Sequence, residues 1–183
     1  MPREQSDTKA EIRSVALELF ARQGFEKTSL RQIAERLGVT KAALYYHYPS
    51  KNDLLLALVT PLHEDMDGLL AGFGDGPVEP DVVFRAYFDV CVRHSGLLMA
   101  VLADLGALGR IGLVASFLEW RDRLGVLLVG RSAPVPARIG AVMAIGGLQD
   151  IALALDAETA AAHRDHAVRV ALAALASGVS GMD

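Results

Sequence analysis

Apolar residues recur along most of the chain at spacings of three and four, and no stretch sustains the period-two alternation of a strand. The pattern therefore predicts an all-α protein. The first helix presents Ile12, Val15, Ala16, Leu19 and Phe20 as one stripe over a charged opposite face, and Gly24 offers a left-handed stop. A second helix opens with Ser29 and Gln32 spaced as a capping box and turns Leu30, Ile33, Ala34 and Leu37 inward. A third starts after Thr40, a good N-cap, and ends near Tyr46 or His47, because Pro49 disfavours helical geometry at Tyr48. From Lys51 a long helix runs through LLLALVTPLHEDMDGLLAG, with Pro61 inside it as an expected kink, either a transmission point or fixed geometry.

Breaks at GFGDGPVEP (72–80), His94-Ser95-Gly96, near Gly109 and at GRSAPVP (130–136) divide the remainder. Helices are expected near 80–95, 97–108, 111–129, 135–155 and 157–177. The chain has no internal repeat. The predicted organisation is an N-terminal three-helix domain, residues 8–68 when linked through the fourth helix, and a C-terminal helical domain, residues 69–183.

Charge changes this picture more than composition does. The net charge of −4 over 183 residues hides two halves of opposite sign. Residues 1–52 hold nine basic and six acidic side chains, a net of +3, and residues 53–183 hold nine and sixteen, a net of −7. Every lysine lies before residue 52. A basic head on an acidic body suggests that only the head approaches a polyanion.

The apolar fraction of 52% and mean hydropathy of +0.31 are high. The longest stretch free of acidic and basic side chains, Val170 to Met182, is 13 residues, too short to span a bilayer. The apolar excess is accordingly assigned to a helical core and a subunit interface. The polar N-terminus MPREQSDTKAEIR lacks the apolar run of a signal peptide, and the one cysteine, Cys91, reads as a small core residue in a reducing cytoplasm.

The informative segment is TSLRQIAERLGVTKAALYYHYPSK, residues 28–51. Gly38 can take the positive φ that a sharp turn between crossing helices needs, and Ala34 is small enough for a close approach. Val39, Ala43 and Leu44 are expected to seat the second helix on the first. Lys41, Ala42, Tyr45, Tyr46 and His47 then remain outward: donors, flat rings and a small apolar group, suited to phosphates, base edges and a thymine methyl. Ser29 and Arg31 are placed to touch phosphate, and Lys51 to anchor another. A short helix of this kind enters the major groove while its predecessor crosses the backbone.

The run IAERLGVTKAALYYHYPSKNDLL resembles the tetracycline-repressor (TetR) family of regulators, over roughly residues 8–60. The resemblance rests on the Ala34–Gly38 spacing, the Leu44-Tyr45 pair, the aromatic at Tyr48 and the Ser50-Lys51 pair opening a long helix. It implies DNA contacts at Arg31, Thr40, Lys41, Ala42, Tyr45, Tyr46, His47 and Lys51. It also implies a homodimer on an inverted-repeat operator and a small-molecule effector that releases a repressor, without cofactor or membrane.

In the C-terminal part, Met66, Phe84, Tyr87, Phe88, Cys91, His94, Phe117 and Trp120 are candidate effector contacts, with Met99 and His63 beside them; a plain core needs the same residues at the same spacing. His163 and His166 share a helix face, but two ligands do not make a metal site. Gly140, Ala144, Gly146 and Gly147 permit close helix crossing, inside one subunit or between the last two helices of two copies. An enzyme would need a nucleophile elbow, a phosphate-cradling loop or clustered metal ligands, and the sequence offers none of these motifs.

Overall fold

The computed structural model describes residues 5–74, 78–103 and 113–180, and every regular element among them is a helix. In chain order these are α1 (Gln5–Gln23), α2 (Leu30–Leu37), α3 (Lys41–His47), α4 (Lys51–Gly72), α5 (Pro80–Arg93), α6 (Ser95–Ala103), α7 (Leu113–Val129), α8 (Val135–Ala154), α9 (Ala157–Ala162) and α10 (Arg164–Ser180). The chain divides into two compact units. One takes the described residues of Met1–His63 and Gly96–Leu113, the other those of Glu64–Ser95 and Val114–Asp183.

In the first unit, Ile12, Ala16 and Phe20 of α1 are buried, as the stripe requires, while Val15 and Leu19 are half-buried. Phe20 meets Phe25 edge-on at 5.1 Å between ring centroids, and Gly24 turns the chain between them with φ 84°. Leu30, Ile33 and Ala34 of α2, Leu44 of α3, Tyr48 and, from α4, Leu54, Leu58, Val59 and Leu62 are buried with them. The α4 helix continues unbroken through Pro61. The expected helix over 97–108 begins two residues early, at Ser95. Its end, the Gly109 break and the expected start at 111 lie outside the described residues.

In the second unit, α5, α8 and α10 pack against one another around Val83, Phe84, Phe88, Leu148 and Val168, all essentially inaccessible. The closest approach is between glycines. A Cβ on Gly178 would stand 2.4 Å from the Pro136 carbonyl oxygen and 3.0 Å from Gly140, and one on Gly140 would stand 2.9 Å from the Ala174 carbonyl oxygen. Gly140 is thus consumed by the α8–α10 crossing inside one chain, and Ala144 is buried. Gly147, by contrast, meets nothing within 4 Å.

The single helix expected over 157–177 is two. Asp156 caps α9 by accepting from the Thr159 amide at 2.9 Å. His163 ends it in a non-helical conformation, with its Nδ1 2.9 Å from the Thr159 carbonyl. A carbonyl only accepts, so this ring nitrogen carries the proton. Among the described residues, α8 is the helix long and apolar enough to cross a membrane by length and composition, at a mean hydropathy of 1.3 over its best window. The charges on Arg138 and Asp150 interrupt its sequence, which is why no long uncharged run marks it. Its inner face is taken by α5 and α10.

Candidate nucleic-acid interface

The turn between α2 and α3 is fixed from both ends. Ser29 adopts an extended conformation, and its hydroxyl accepts from the Gln32 amide at 3.2 Å while the Gln32 carboxamide oxygen accepts from the Ser29 amide at 2.8 Å. Two orphan amides of the helix start are satisfied reciprocally. At the other end Gly38 is left-handed, φ 68° and ψ 27°. Its amide donates to the Glu35 carbonyl at 3.2 Å, and the Val39 amide donates to Ala34 at 3.0 Å. Those bonds close the last turn of α2. The chain then re-enters a helix at once, because Thr40 accepts from the Ala43 amide at 3.1 Å.

The third helix exposes nearly all of itself. Leu44 is its inward anchor at 0% exposure. Lys41, Ala42, Ala43, Tyr45 and Tyr46 are exposed and His47 is half-buried. Tyr46, at 75%, has an edge contact to the His47 ring at 5.4 Å. The Lys41 ammonium lies 5.3 Å from the centroid of the Tyr45 ring, an arrangement that favours a cation on the aromatic face. No acidic residue occurs between Gly38 and Asn52, so the face presents cation, hydroxyls and methyls without a carboxylate to repel phosphate. The expectation that Ala43 seats α3 on α2 is corrected here. Ala43 lies on the open side, Val39 and Leu37 are half-buried, and Tyr48, at 6% exposure, fills the space instead.

The basic residues around the helix divide into free and committed. Arg31 is exposed, but its Nε already donates to Glu35 one turn on, at 2.7 Å. Arg36 reaches back to Glu18 at 3.3 Å. Lys51 departs most from expectation. Its ammonium donates to the main-chain carbonyls of Phe25, Glu26 and Thr28 at 2.7, 3.3 and 3.0 Å, and lies 4.2 Å from the centroid of the Phe25 ring. An ammonium has three protons to give, and here three carbonyls take them. Lys51, expected to anchor a phosphate, here clamps the α1–α2 connection through these carbonyls.

Thr28 finishes that clamp, and sequence reasoning passed over it. It is the buried polar residue among those described, at 1% exposure. Its hydroxyl donates to the Gly24 carbonyl at 2.8 Å and accepts from the Gln23 carboxamide at 3.0 Å. The signal was available: a threonine directly before a capping serine, followed by an apolar run.

The candidate effector contacts fall in the second unit, mostly inside its core. Met66, Phe84, Tyr87, Phe88, Cys91 and Trp120 are buried, and Phe117, half-buried, packs its ring edge-on to Trp120 at 5.5 Å. His94 and Arg93 both bond the Asp65 carboxylate, at 2.8 and 2.6 Å, and together hold that carboxyl below the usual range. Burial pushes the Cys91 thiol up to about 12. None of these eight residues lines the described cavities of about 440, 380 and 370 Å³ in this unit. His63 and Met99 belong to the other unit. Among the described residues, no group of three histidine, cysteine or acidic side chains is placed to hold a metal ion.

A short, capped, carboxylate-free helix set behind a glycine turn defines a helix-turn-helix protein. Residues 12–58 match the family model described as bacterial regulatory proteins, tetR family. Over 78 residues the chain is 38% identical to the HTH-type transcriptional regulator TtgR of Pseudomonas putida, covering 42% of this chain and 37% of that one. The chain thus spans little more than a third of this curated relative. A transcriptional regulator of the TerR/AcrR family from Aquifex aeolicus shares the fold at a TM-score of 0.65 and 20% identity, over 89% of this chain and 98% of that one. A SmeT–triclosan complex does so at 0.61 and 20%, over 96% and 91%. The sequence similarity to the tetR family is thus confined to the N-terminal helices, residues 12–58.

Proposed function

We propose that this chain is a sequence-specific DNA-binding transcriptional regulator, a repressor that leaves an inverted-repeat operator when a small molecule binds. The observation that carries this reading is α3, where five of seven side chains are exposed behind a turn locked at both ends. DNA binding falls to residues 8–68, and effector response and dimerisation to residues 69–183. Lys41, Tyr45, Tyr46 and His47 read base edges or phosphate, with Thr40, Ala42 and Ala43 against the groove floor, and Ser29 and Arg31 at the backbone. Arg31 exchanges its Glu35 partner for phosphate. Lys51 acts from behind.

The dimer forms through α8 and α10. Val135, Ile139, Val142 and Met143 are each more than half exposed on α8, as is Val170 on α10, and an apolar strip of this kind marks a contact surface. A twofold pair sets two copies of α3 about one DNA turn apart. The similarity to a SmeT–triclosan complex supports a small-molecule effector, which acts by binding one of two conformers more tightly. The regulator works in the cytoplasm, where its DNA is. A mobility-shift titration on the DNA upstream of its own gene tests the reading. Retardation of one fragment at nanomolar dimer is the expected outcome, and none at low salt and micromolar protein overturns it.

A further inference from the structure

The second unit treats its arginines in two ways. Arg85, Arg93, Arg123 and Arg164 each pair with aspartate, at Asp81 and Asp165, Asp65, Asp67 and Asp89 respectively. Among the described residues of this unit, Arg121, Arg131, Arg138 and Arg169 make no ion pair. The first three line one cavity of about 380 Å³ between α7, the Gly130 turn and α8. Its other walls are mainly aliphatic, from Val126, Val129 and Ile145, and Asp122 is its one acidic lining residue, which leaves the lining at a net +2.

The innermost arginine is held in place. Arg121 is half-buried and its Nη1 reaches the Gln149 carboxamide oxygen at 3.5 Å, an oxygen that also accepts from the Tyr87 hydroxyl at 3.3 Å. Tyr87 itself is 5% exposed. Gly146 makes room for the guanidinium, since a Cβ there would stand 3.1 Å from Arg121 Nη2. A half-buried guanidinium beside a carboxamide oxygen, two further guanidiniums and aliphatic side chains between them suit a small amphipathic anion.

We infer that the α7–α8 cavity binds a small molecule with a carboxylate or phosphate head and a short aliphatic body, with Arg121, Arg131 and Arg138 around the head. As the effector site it rests on the regulatory reading above; as an anion site it does not. The probes are octanoate, inorganic phosphate and the uncharged octanol, titrated calorimetrically into the full chain. Saturable binding of octanoate but not octanol is expected, and an equal response to phosphate locates recognition in the head alone. Loss of Arg121 to Gln weakens octanoate about ten- to a hundredfold, the worth of a charge-assisted bond.

The double variant Arg131→Gln/Arg138→Gln replaces exposed side chains, so it keeps the wild-type melting temperature while losing affinity. No saturable anion binding, or octanol binding as well as octanoate, overturns the inference. So does a double variant that loses the dimer in sedimentation yet binds octanoate as before, because the arginines then answer to a partner's carboxylates. The DNA arm is separate. Octanoate that binds without weakening a DNA complex leaves the site standing and removes the effector role.

Discussion

Replacing Lys51 by methionine distinguishes a clamp from a phosphate contact, because the two roles change different quantities. Methionine keeps the aliphatic stem and removes the ammonium that holds Phe25, Glu26 and Thr28 by their carbonyls. A hydrogen bond to a charged group contributes about 1.5–3 kcal/mol. The Glu26 contact is exposed and the freed carbonyls regain water, so the three together plus the Phe25 ring contact come to about 1–3 kcal/mol. For a chain of this size that lowers the melting temperature by roughly 2–10 °C.

DNA affinity falls as well, since the start of α2 loses its tie to α4. Yet the number of neutralised phosphates is unchanged. Plots of log affinity against log salt for wild type and Lys51→Met therefore stay parallel. A direct phosphate contact would flatten the slope by about 0.9. An unchanged melting temperature with a slope reduced by that amount would refute the clamp.

Alanine at Gly178 brings a Cβ to 2.4 Å from the Pro136 carbonyl oxygen. It is expected to cost about 1–3 kcal/mol by overpacking, seen in urea denaturation, whereas Gly147→Ala, facing open space, is neutral or mildly stabilising. Cys91 is buried, with its thiol raised from 9.0 to about 12. Its contribution to stability is complete below the unfolded value and is lost as pH rises from about 9 towards about 12, a loss that Cys91→Ala removes from the alkaline limb of a thermal-melt profile. Asp65, lowered by His94 and Arg93, behaves oppositely. Its contribution is present above the unfolded carboxylate value and lost as pH falls through the folded one, so Asp65→Asn flattens the acid limb.

Residues 28–51 were legible because their information is local. A capping box, a left-handed glycine, an N-cap threonine and a proline each act within one turn of themselves, and all four stand where the sequence puts them. What failed there was facing. A seven-residue helix spans barely two turns, so periodicity could not tell that Ala43 looks outward while Tyr48, beyond the helix end, fills the core. The carbonyl contacts of Lys51 were not legible for a different reason: carbonyls over twenty residues upstream leave no trace in composition, and a lysine opening a helix looks the same beside phosphate or peptide oxygen.

In the second unit, small residues announced a close crossing correctly but not its partner. Only the fold shows Gly140 against Gly178 of the same chain. The aromatic and sulfur residues proposed as effector contacts follow core spacing because most of them are core. The arginine-lined cavity is assembled from three elements, and no short motif encodes it.

The central claim is that α3 carries DNA recognition, and fluorescence anisotropy on a labelled inverted-repeat duplex tests it most directly. Wild type and the double variant Lys41→Ala/Tyr46→Ala are compared at several salt concentrations, since both side chains are exposed and neither supports the core. The account predicts saturable wild-type binding that weakens linearly on the log–log scale, and a variant that melts as wild type does but binds this duplex at least tenfold less tightly, with its preference over random DNA reduced. Equal affinity of both proteins for both duplexes, or no wild-type binding at low salt, would contradict it.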